Sequence, residues 1–108
     1  MYIETGDKKL PVRYGMNALA QFGDLTGKSM TQVTEALRDF GSLKMSEVLT
    51  FIYVGFVDGA RKAGEECKIK SVQDVGDLVD EDGELLEKVL KVYTAQSPPP
   101  AEGDSKKK

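Results

Sequence analysis

The segment from Ser42 to Gly64 constrains the fold of this chain more than any other part of the sequence. Its apolar residues recur at helical spacing, and they surround the helix axis on nearly every side. A helix of this kind is stable in water only when other elements cover it, so we expect it at the centre of a helical domain. Its main stripe comprises Met45, Val48, Leu49, Ile52, Tyr53, Phe56 and Ala60, and Phe51, Val54 and Val57 widen it.

Two glycines stand one turn apart inside this central helix, at Gly55 and Gly59. Each costs about 1 kcal/mol of helix stability relative to alanine, so packing must offset the loss. We therefore expect a neighbouring backbone to approach closely at these two positions. The helix is predicted to end at Gly64, after the basic pair Arg61 and Lys62, where cations suit the helix dipole.

The stretch "GDLTGKSM", which starts at Gly23, looks at first like a phosphate-binding loop. A P-loop places its first glycine five positions before the second, and Gly23 comes one residue too late. The segment before it also has helical rather than strand periodicity. We interpret Gly27 as the end of one helix and Ser29 with Gln32 as the capping box of the next, with Lys28 exposed between them.

The sequence before Met16 predicts a β-hairpin that turns around Gly6. Apolar residues fall at even spacing, as one face of a hairpin requires. Pro11 lacks a backbone donor, which places its segment at an edge or in irregular structure. The residues predicted on the shared face are Tyr2, Leu10, Val12 and Tyr14.

Four further helices are predicted around the central one. Met16, Leu19, Ala20 and Gly23 follow the spacing of a helix with one face against a core, and Phe22 and Leu25 widen that stripe. The second helix ends near Gly41, Ser71 caps the fourth, and Asp82 is a candidate cap for the fifth. The inward residues of these helices are Met30, Val33, Ala36 and Leu37 in the second, Val72, Val75, Leu78 and Val79 in the fourth, and Leu85, Leu86, Val89, Leu90 and Tyr93 in the fifth.

These elements predict a mainly α fold (small α+β), with an N-terminal β-hairpin followed by a bundle of about five short helices. Residues 1–96 form a single domain. Residues 97–108, "SPPPAEGDSKKK", contain no apolar side chain larger than alanine, so we expect a disordered tail.

Composition argues against catalysis and against nucleic acid as a partner. The chain has no histidine and a single cysteine, Cys67, so it lacks the imidazole base of common triads and dyads and the usual metal ligand. Nothing in the sequence indicates an enzyme, a cofactor or a metal site. Asp and Glu outnumber Lys and Arg by 18 to 15, which disfavours phosphate-backbone binding. With no signal segment and no apolar run of membrane length, we expect a soluble intracellular protein that binds no membrane.

Three segments resemble the tail assembly chaperones of long-tailed (siphovirus-type) bacteriophages. They are "NALAQFGDLTGKSM", "LTFIYVGFVDGARKAG" and "KSVQDVGDLVDEDGELLEKVLKVY". That family is similar in its Leu-Thr-Gly turn after a helix, in its glycine-broken aliphatic helix and in its acidic turn before the last helix. The similarity extends over residues 2 to about 95.

The resemblance implies a non-enzymatic chaperone of the bacterial host cytoplasm. Such a protein binds the tape-measure protein, recruits tail-tube subunits during tail polymerisation and is absent from the mature virion. Self-association is a further interaction compatible with this role. Contacts with the client are expected at apolar or aromatic positions left over once the core is filled. The candidates are Phe40, Met45, Phe51 and Tyr93.

Two alternative functions stay open from the sequence. A head-tail connector would also bind proteins, but it would remain in the virion. A small DNA-binding regulator would use the helix pair from Met16 to Leu37 as a helix-turn-helix. Against the regulator, residues 17–36 contain one basic side chain, Lys28, where phosphate contacts require several.

Overall fold

The computed structural model describes residues 2–6 and 8–96 of the chain. An antiparallel β-hairpin precedes five α-helices, which confirms the predicted mainly α fold. The predicted disordered tail, residues 97–108, lies outside the described residues. The strands are β1 (Tyr2–Thr5) and β2 (Lys8–Pro11), and the helices are α1 (Met16–Thr26), α2 (Met30–Arg38), α3 (Met45–Ala63), α4 (Val72–Glu81) and α5 (Leu85–Gln96).

Helix α3 is the centre of the fold, as predicted from the apolar residues on nearly every side of it. It packs against α1, α4, α5 and β2. No helix within the described ranges combines the length and apolarity needed to cross a membrane. The buried residues of α3 are Phe51, Ile52, Val54, Gly55, Phe56, Asp58, Gly59 and Ala60.

The segment that joins β2 to α1 lies directly on α3 at its two internal glycines. A Cβ atom at Gly59 would lie 2.5 Å from the backbone of Pro11, and one at Gly55 would lie 2.4 Å from the ring of Tyr14. The Tyr14 hydroxyl donates a hydrogen bond to the Phe51 carbonyl at 2.7 Å. The predicted close backbone approach is therefore confirmed at Gly59. At Gly55 the side-chain ring of Tyr14 takes the space instead, beside a hydrogen bond of 3.0 Å from Arg13 N–H to the Gly55 carbonyl.

A buried carboxylate fastens the same segment to α3. Asp58 is only 2% exposed and accepts hydrogen bonds from Arg13 Nη1 at 3.0 Å, Gly15 N–H at 3.2 Å and Arg61 Nη2 at 2.7 Å. Burial alone would raise the pKa of this carboxyl. The hydrogen bonds from Arg61, Gly15 and Arg13 outweigh burial and hold the pKa below its ordinary value.

The hairpin forms, but the predicted position of Tyr2 on its inner face is wrong. Ile3 pairs with Leu10 across the strands and both are buried, whereas Tyr2 pairs with Pro11 and is exposed. The Tyr2 hydroxyl instead donates a hydrogen bond to Glu65 Oε2 at 2.5 Å. Directly opposed residues of an antiparallel pair share a face, so Ile3 lies on the inner face with Leu10 and its neighbour Tyr2 points to the other side.

Most of the predicted helix boundaries are confirmed. Gly27 and Gly64 adopt left-handed conformations with φ of 72°, at the ends of α1 and α3. Ser29 and Gln32 form the predicted capping box at α2, and Ser71 accepts a hydrogen bond at the start of α4.

Two boundaries differ from prediction. Helix α2 ends at Arg38, and a 3-10 turn over Phe40–Ser42 follows before α3 begins. Asp82 lies three residues before the first residue of α5, Leu85, so it is not the N-cap of that helix. It instead closes the turn between α4 and α5 by accepting a hydrogen bond from Glu84 N–H at 3.0 Å. Lys88 then ties α5 to this turn through Asp82 Oδ2 at 2.7 Å.

Candidate protein-binding site

The apolar stripe predicted along α1 is only partly in the core: Phe22 and Gly23 are buried, whereas its other members lie at or near the surface. Met16 is 68% exposed, Ala20 is exposed and Leu19 is half-buried. The core also takes Ala18, which the prediction did not include. Because α1 is apolar over more of its circumference than the core can cover, a strip about 6 Å long, from Met16 to Ala20, remains at the surface.

A groove of about 180 Å³ separates α1 from α2, and we call it the apolar groove. Gly23 forms part of its floor. A Cβ atom there would lie 3.0 Å from the Lys28 carbonyl and 3.4 Å from Val33 Cγ2, so the small residue lets α2 begin close to α1. The groove is lined by Leu19, Ala20, Gly23, Asp24, Lys28, Met30 and Val33.

The position of α2 beside this groove follows from local hydrogen bonding. Lys28 N–H donates to the Gly23 carbonyl at 2.9 Å, which closes the end of α1. Gln32 N–H donates to Ser29 Oγ at 3.2 Å, and Ser29 N–H donates to Gln32 Oε1 at 2.8 Å. These caps start α2 immediately after the turn and leave its first residue, Met30, 53% exposed at the mouth of the groove.

A second groove, of about 320 Å³, lies on the other flank of α2, and we call it the acidic groove. It contains three carboxylates and one ammonium group, Lys28, which also borders the apolar groove. The two grooves flank α2, and we call their combined lining the α2 surface. The acidic groove is lined by Lys28, Gln32, Glu35, Ala36, Asp39, Ser42, Leu43 and Glu47.

Lys28 was expected to be exposed between two helices, and this expectation is wrong. Its ammonium group reaches α3 and pairs with Glu47 Oε2 at 3.2 Å, so the side chain is only 24% exposed. The pKa of Glu47 is lowered from its ordinary value. The larger cause is the hydrogen bond from the Lys44 backbone N–H, and the next is the hydrogen bond from the Lys28 side chain. Among the described residues, no ion pair includes Asp24, Glu35 or Asp39, and none includes the exposed Arg38 of α2.

The four residues predicted as client contacts fall into two groups. The Phe51 ring is fully buried, and the rings of Phe40 and Tyr93 pack edge-on against it at centroid distances of 5.1 and 5.5 Å. Phe51 belongs to the core, while Phe40 and Tyr93 are half-buried at its margin.

Met45 is 68% exposed and separate from that aromatic cluster. It precedes Glu47 by two positions on α3, so the two side chains point about 200° apart around the helix. Because Glu47 points to Lys28, Met45 lies away from the α2 surface.

The prediction from sequence missed Leu19, Ala20 and Met30 as surface residues, because it placed them against the core. The signal was present in the composition of α1: apolar side chains occupy positions 16, 18, 19, 20, 22 and 25. A helix at the edge of a small bundle is covered by other elements on one side only, so part of this set had to remain exposed.

The apolar groove combines exposed and half-buried apolar side chains with one carboxylate and one ammonium group at its border. Within residues 2–6 and 8–96, no group of three or more Cys, Asp or Glu side chains is arranged to hold a metal ion. Comparison of the chain with protein-family models, with curated proteins and with solved structures finds no match.

Proposed function

We propose that this chain is a non-enzymatic tail assembly chaperone of a long-tailed bacteriophage. It binds the tape-measure protein in the cytoplasm of the bacterial host and recruits tail-tube subunits while the tail polymerises. The observation that carries the proposal is the apolar groove, a surface of Leu19, Ala20 and Met30 that remains after the core is filled. The resemblance of three sequence segments to such chaperones supports the same role.

The physical requirement of this role is to shield a long amphipathic helix from aggregation before assembly. An apolar groove binds the apolar face of such a helix through positions spaced by three and four residues. The formal charge of -3 favours the solubility of the loaded complex. Methionine at the mouth of the groove suits a client whose sequence varies along its length, because its flexible side chain adapts to different partners.

Co-expression with fragments of the tape-measure protein tests the proposal. We expect the chain to co-purify with the fragment, and we expect Met30→Asp to reduce recovery at least tenfold by placing a charge in the groove. Leu25→Asp is the matched control, because Leu25 is also 53% exposed but does not line the groove. Equal recovery with both variants would exclude the apolar groove as the binding site.

Mass spectrometry of purified virions separates the chaperone from a structural connector. A chaperone is released after assembly, so we expect only traces of the chain in finished particles. Stoichiometric amounts in the particle would contradict the chaperone function and favour the connector.

A further inference from the structure

We infer that a groove at the end of α3 binds a carboxylate from an acidic segment of a partner protein. This groove, which we call the cationic groove, has a volume of about 120 Å³. Of the described residues on its lining, two are cationic and none carries a carboxylate, and this juxtaposition carries the inference. The cationic groove is lined by Tyr2, Pro11, Val12, Arg13, Gly59, Lys62 and Ala63.

The cationic groove is separate from the apolar groove, so the inference goes beyond the proposed function and does not depend on it. Lys28 borders the apolar groove and pairs with Glu47 in the first turn of α3. Lys62 belongs to the last turn of α3, 15 positions after Glu47. At a rise of 1.5 Å per residue, these two positions are about 22 Å apart along the helix axis.

The cations at this end of α3 outnumber the buried carboxylate that holds them. Asp58 Oδ2 accepts hydrogen bonds from Arg13 and from Gly15 N–H. Asp58 Oδ1 accepts two hydrogen bonds from the guanidinium group of Arg61. The exposed Lys62 lies four positions after Asp58, but within the described part of the chain it is in no ion pair. One carboxylate with both oxygens in use therefore lies among three cations.

The helix dipoles do not remove this excess of positive charge. The end of α3 contributes roughly half a unit of negative charge. The start of α1 lies near it, since the N-cap residue Gly15 donates its N–H to Asp58, and it contributes a similar positive charge. Because the two opposite helix ends largely cancel, the side chains determine the sign of the local charge.

The charges outside the cationic groove balance one another. Glu4 lies opposite Lys9 in the hairpin, and Glu66 pairs with Lys70 at 3.0 Å. These surroundings contain as many cations as carboxylates, so the excess positive charge belongs to the groove itself. The charged residues concerned are Lys9, Lys68 and Lys70 with Glu4, Glu65 and Glu66.

The size of the groove and the carboxylates around it select a single carboxylate over larger anions. Its volume is that of about four water molecules, whereas pockets for small-molecule ligands usually exceed about 300 Å³. A nucleic-acid strand that extended past the groove would meet Glu65 and Glu66, which repel phosphate. Arg13 uses Nη1 toward Asp58, and a guanidinium group has further N–H donors for a second carboxylate. An Asp or Glu side chain between Arg13 and Lys62 therefore fits best.

Two synthetic ten-residue peptides test this inference by NMR titration of the ¹⁵N-labelled full chain. Both have a Gly/Ser background, and they carry either two Asp or two Asn residues at the same positions. We expect the Asp peptide to bind about fivefold more tightly than the Asn peptide, with the largest amide shift changes in residues 11–15 and 59–63. The preference should shrink as salt increases, because Lys62 is exposed.

The variant Lys62→Gln identifies the cation responsible. We expect the preference for the Asp peptide to fall to within about twofold, and the fold to persist because the side chain is exposed. Lys91→Gln is the matched control, since it changes the net charge equally at an exposed position of α5. It should keep most of the preference. An equal loss in both variants would overturn the inference, because net charge alone would then explain the effect.

Other occupants of the cationic groove give different results. Glu102→Gln/Asp104→Asn removes the acidic residues that follow α5 in the sequence, and we expect it to leave the affinity for the Asp peptide unchanged. Tighter binding by this variant would make the chain's own acidic residues the occupant and overturn the inference. Larger shift changes at the groove with inorganic phosphate or an oligonucleotide than with the Asp peptide would also overturn it. So would equal binding of the two peptides or failure of both to bind, and none of these results would affect the proposed function.

Discussion

Helices α3 and α2 use their apolar residues in opposite ways. Helix α3 is covered on nearly all sides and buries eight of its residues, among them the ring of Phe51 and the charged Asp58. Helix α2 buries one residue, Val33, and leaves Met30 more than half exposed. The comparison teaches that α3 holds the fold together, whereas α2 is placed by local caps and keeps apolar surface available for a partner.

The two helices are also attached by different means. Helix α3 is fixed by tertiary contacts. Gly59 lets the Pro11 backbone lie directly against it, Gly55 makes room for the Tyr14 ring, and Asp58 accepts a hydrogen bond from Gly15 N–H. Helix α2 depends on the turn at Gly27 and the box at Ser29, both within a few residues of its start. Substitutions in α3 should therefore change folding, and substitutions in α2 should chiefly change binding.

The largest effect is expected for Gly59→Ala. The new methyl group would lie 2.5 Å from the Pro11 backbone, which cannot move without disturbing the hairpin, so we expect a loss of about 3 kcal/mol in the free energy of unfolding. Urea denaturation followed by circular dichroism measures it. Gly76→Ala is the control: its methyl group would meet only Leu49 Cδ1, at 3.7 Å, and should stabilise α4 by up to about 1 kcal/mol. Equal effects at both sites would refute the close packing described for α3.

Asp58→Asn is expected to have the next largest effect, about 2 kcal/mol of destabilisation, because Arg13 and Arg61 lose their shared carboxylate. The pKa of Asp58 is lowered on folding, so the unfolded chain binds the proton more readily. The stabilisation by this carboxylate is therefore present above about pH 4 and is lost as the pH falls through the folded pKa. Thermal unfolding between pH 2 and 7 should show a shallower acid dependence for the variant. An unchanged dependence would mean that Asp58 titrates alike in both states.

Ser29→Ala should cost about 1 kcal/mol, since Gln32 N–H loses its acceptor at the start of α2. Because the caps hold α2, hydrogen exchange should accelerate most in residues 30–38 and little in α3. A matched variant, Ser46→Ala, changes a serine that caps no helix and should leave exchange in α2 as it was. Uniform acceleration across α2 and α3 would show that the two helices open together.

Much of the helical framework could be predicted from sequence, because glycine turns and capping boxes are signals within four or five neighbouring residues. The glycine pair of α3 also predicted a contact, although not its partner. Which face of a helix or strand is buried depends on distant elements instead. For this reason the predictions that Tyr2 faces inward and that Met16 lies against the core were wrong. The pairing of Lys28 with Glu47 had no local signal in the sequence.

The smallest effect on folding is expected for Met30→Ser, which should change the free energy of unfolding by less than about 0.5 kcal/mol because the side chain is mostly exposed. The same change should weaken the binding of a tape-measure fragment several-fold, since it removes apolar surface at the mouth of the apolar groove. Parallel denaturation and anisotropy measurements on this one variant separate the two roles. A large loss of stability without a loss of binding would reverse the roles assigned to α2 and α3.

The most direct measurement is an NMR titration of the ¹⁵N-labelled full chain with a helical fragment of the tape-measure protein. Amide shift changes should concentrate in residues 16–39, with the largest near Leu19, Ala20 and Met30, while the buried centre of α3 from Ile52 to Gly59 changes little. The largest changes in α4 and α5, or changes spread evenly over the chain, would contradict the assignment of binding to the α2 surface.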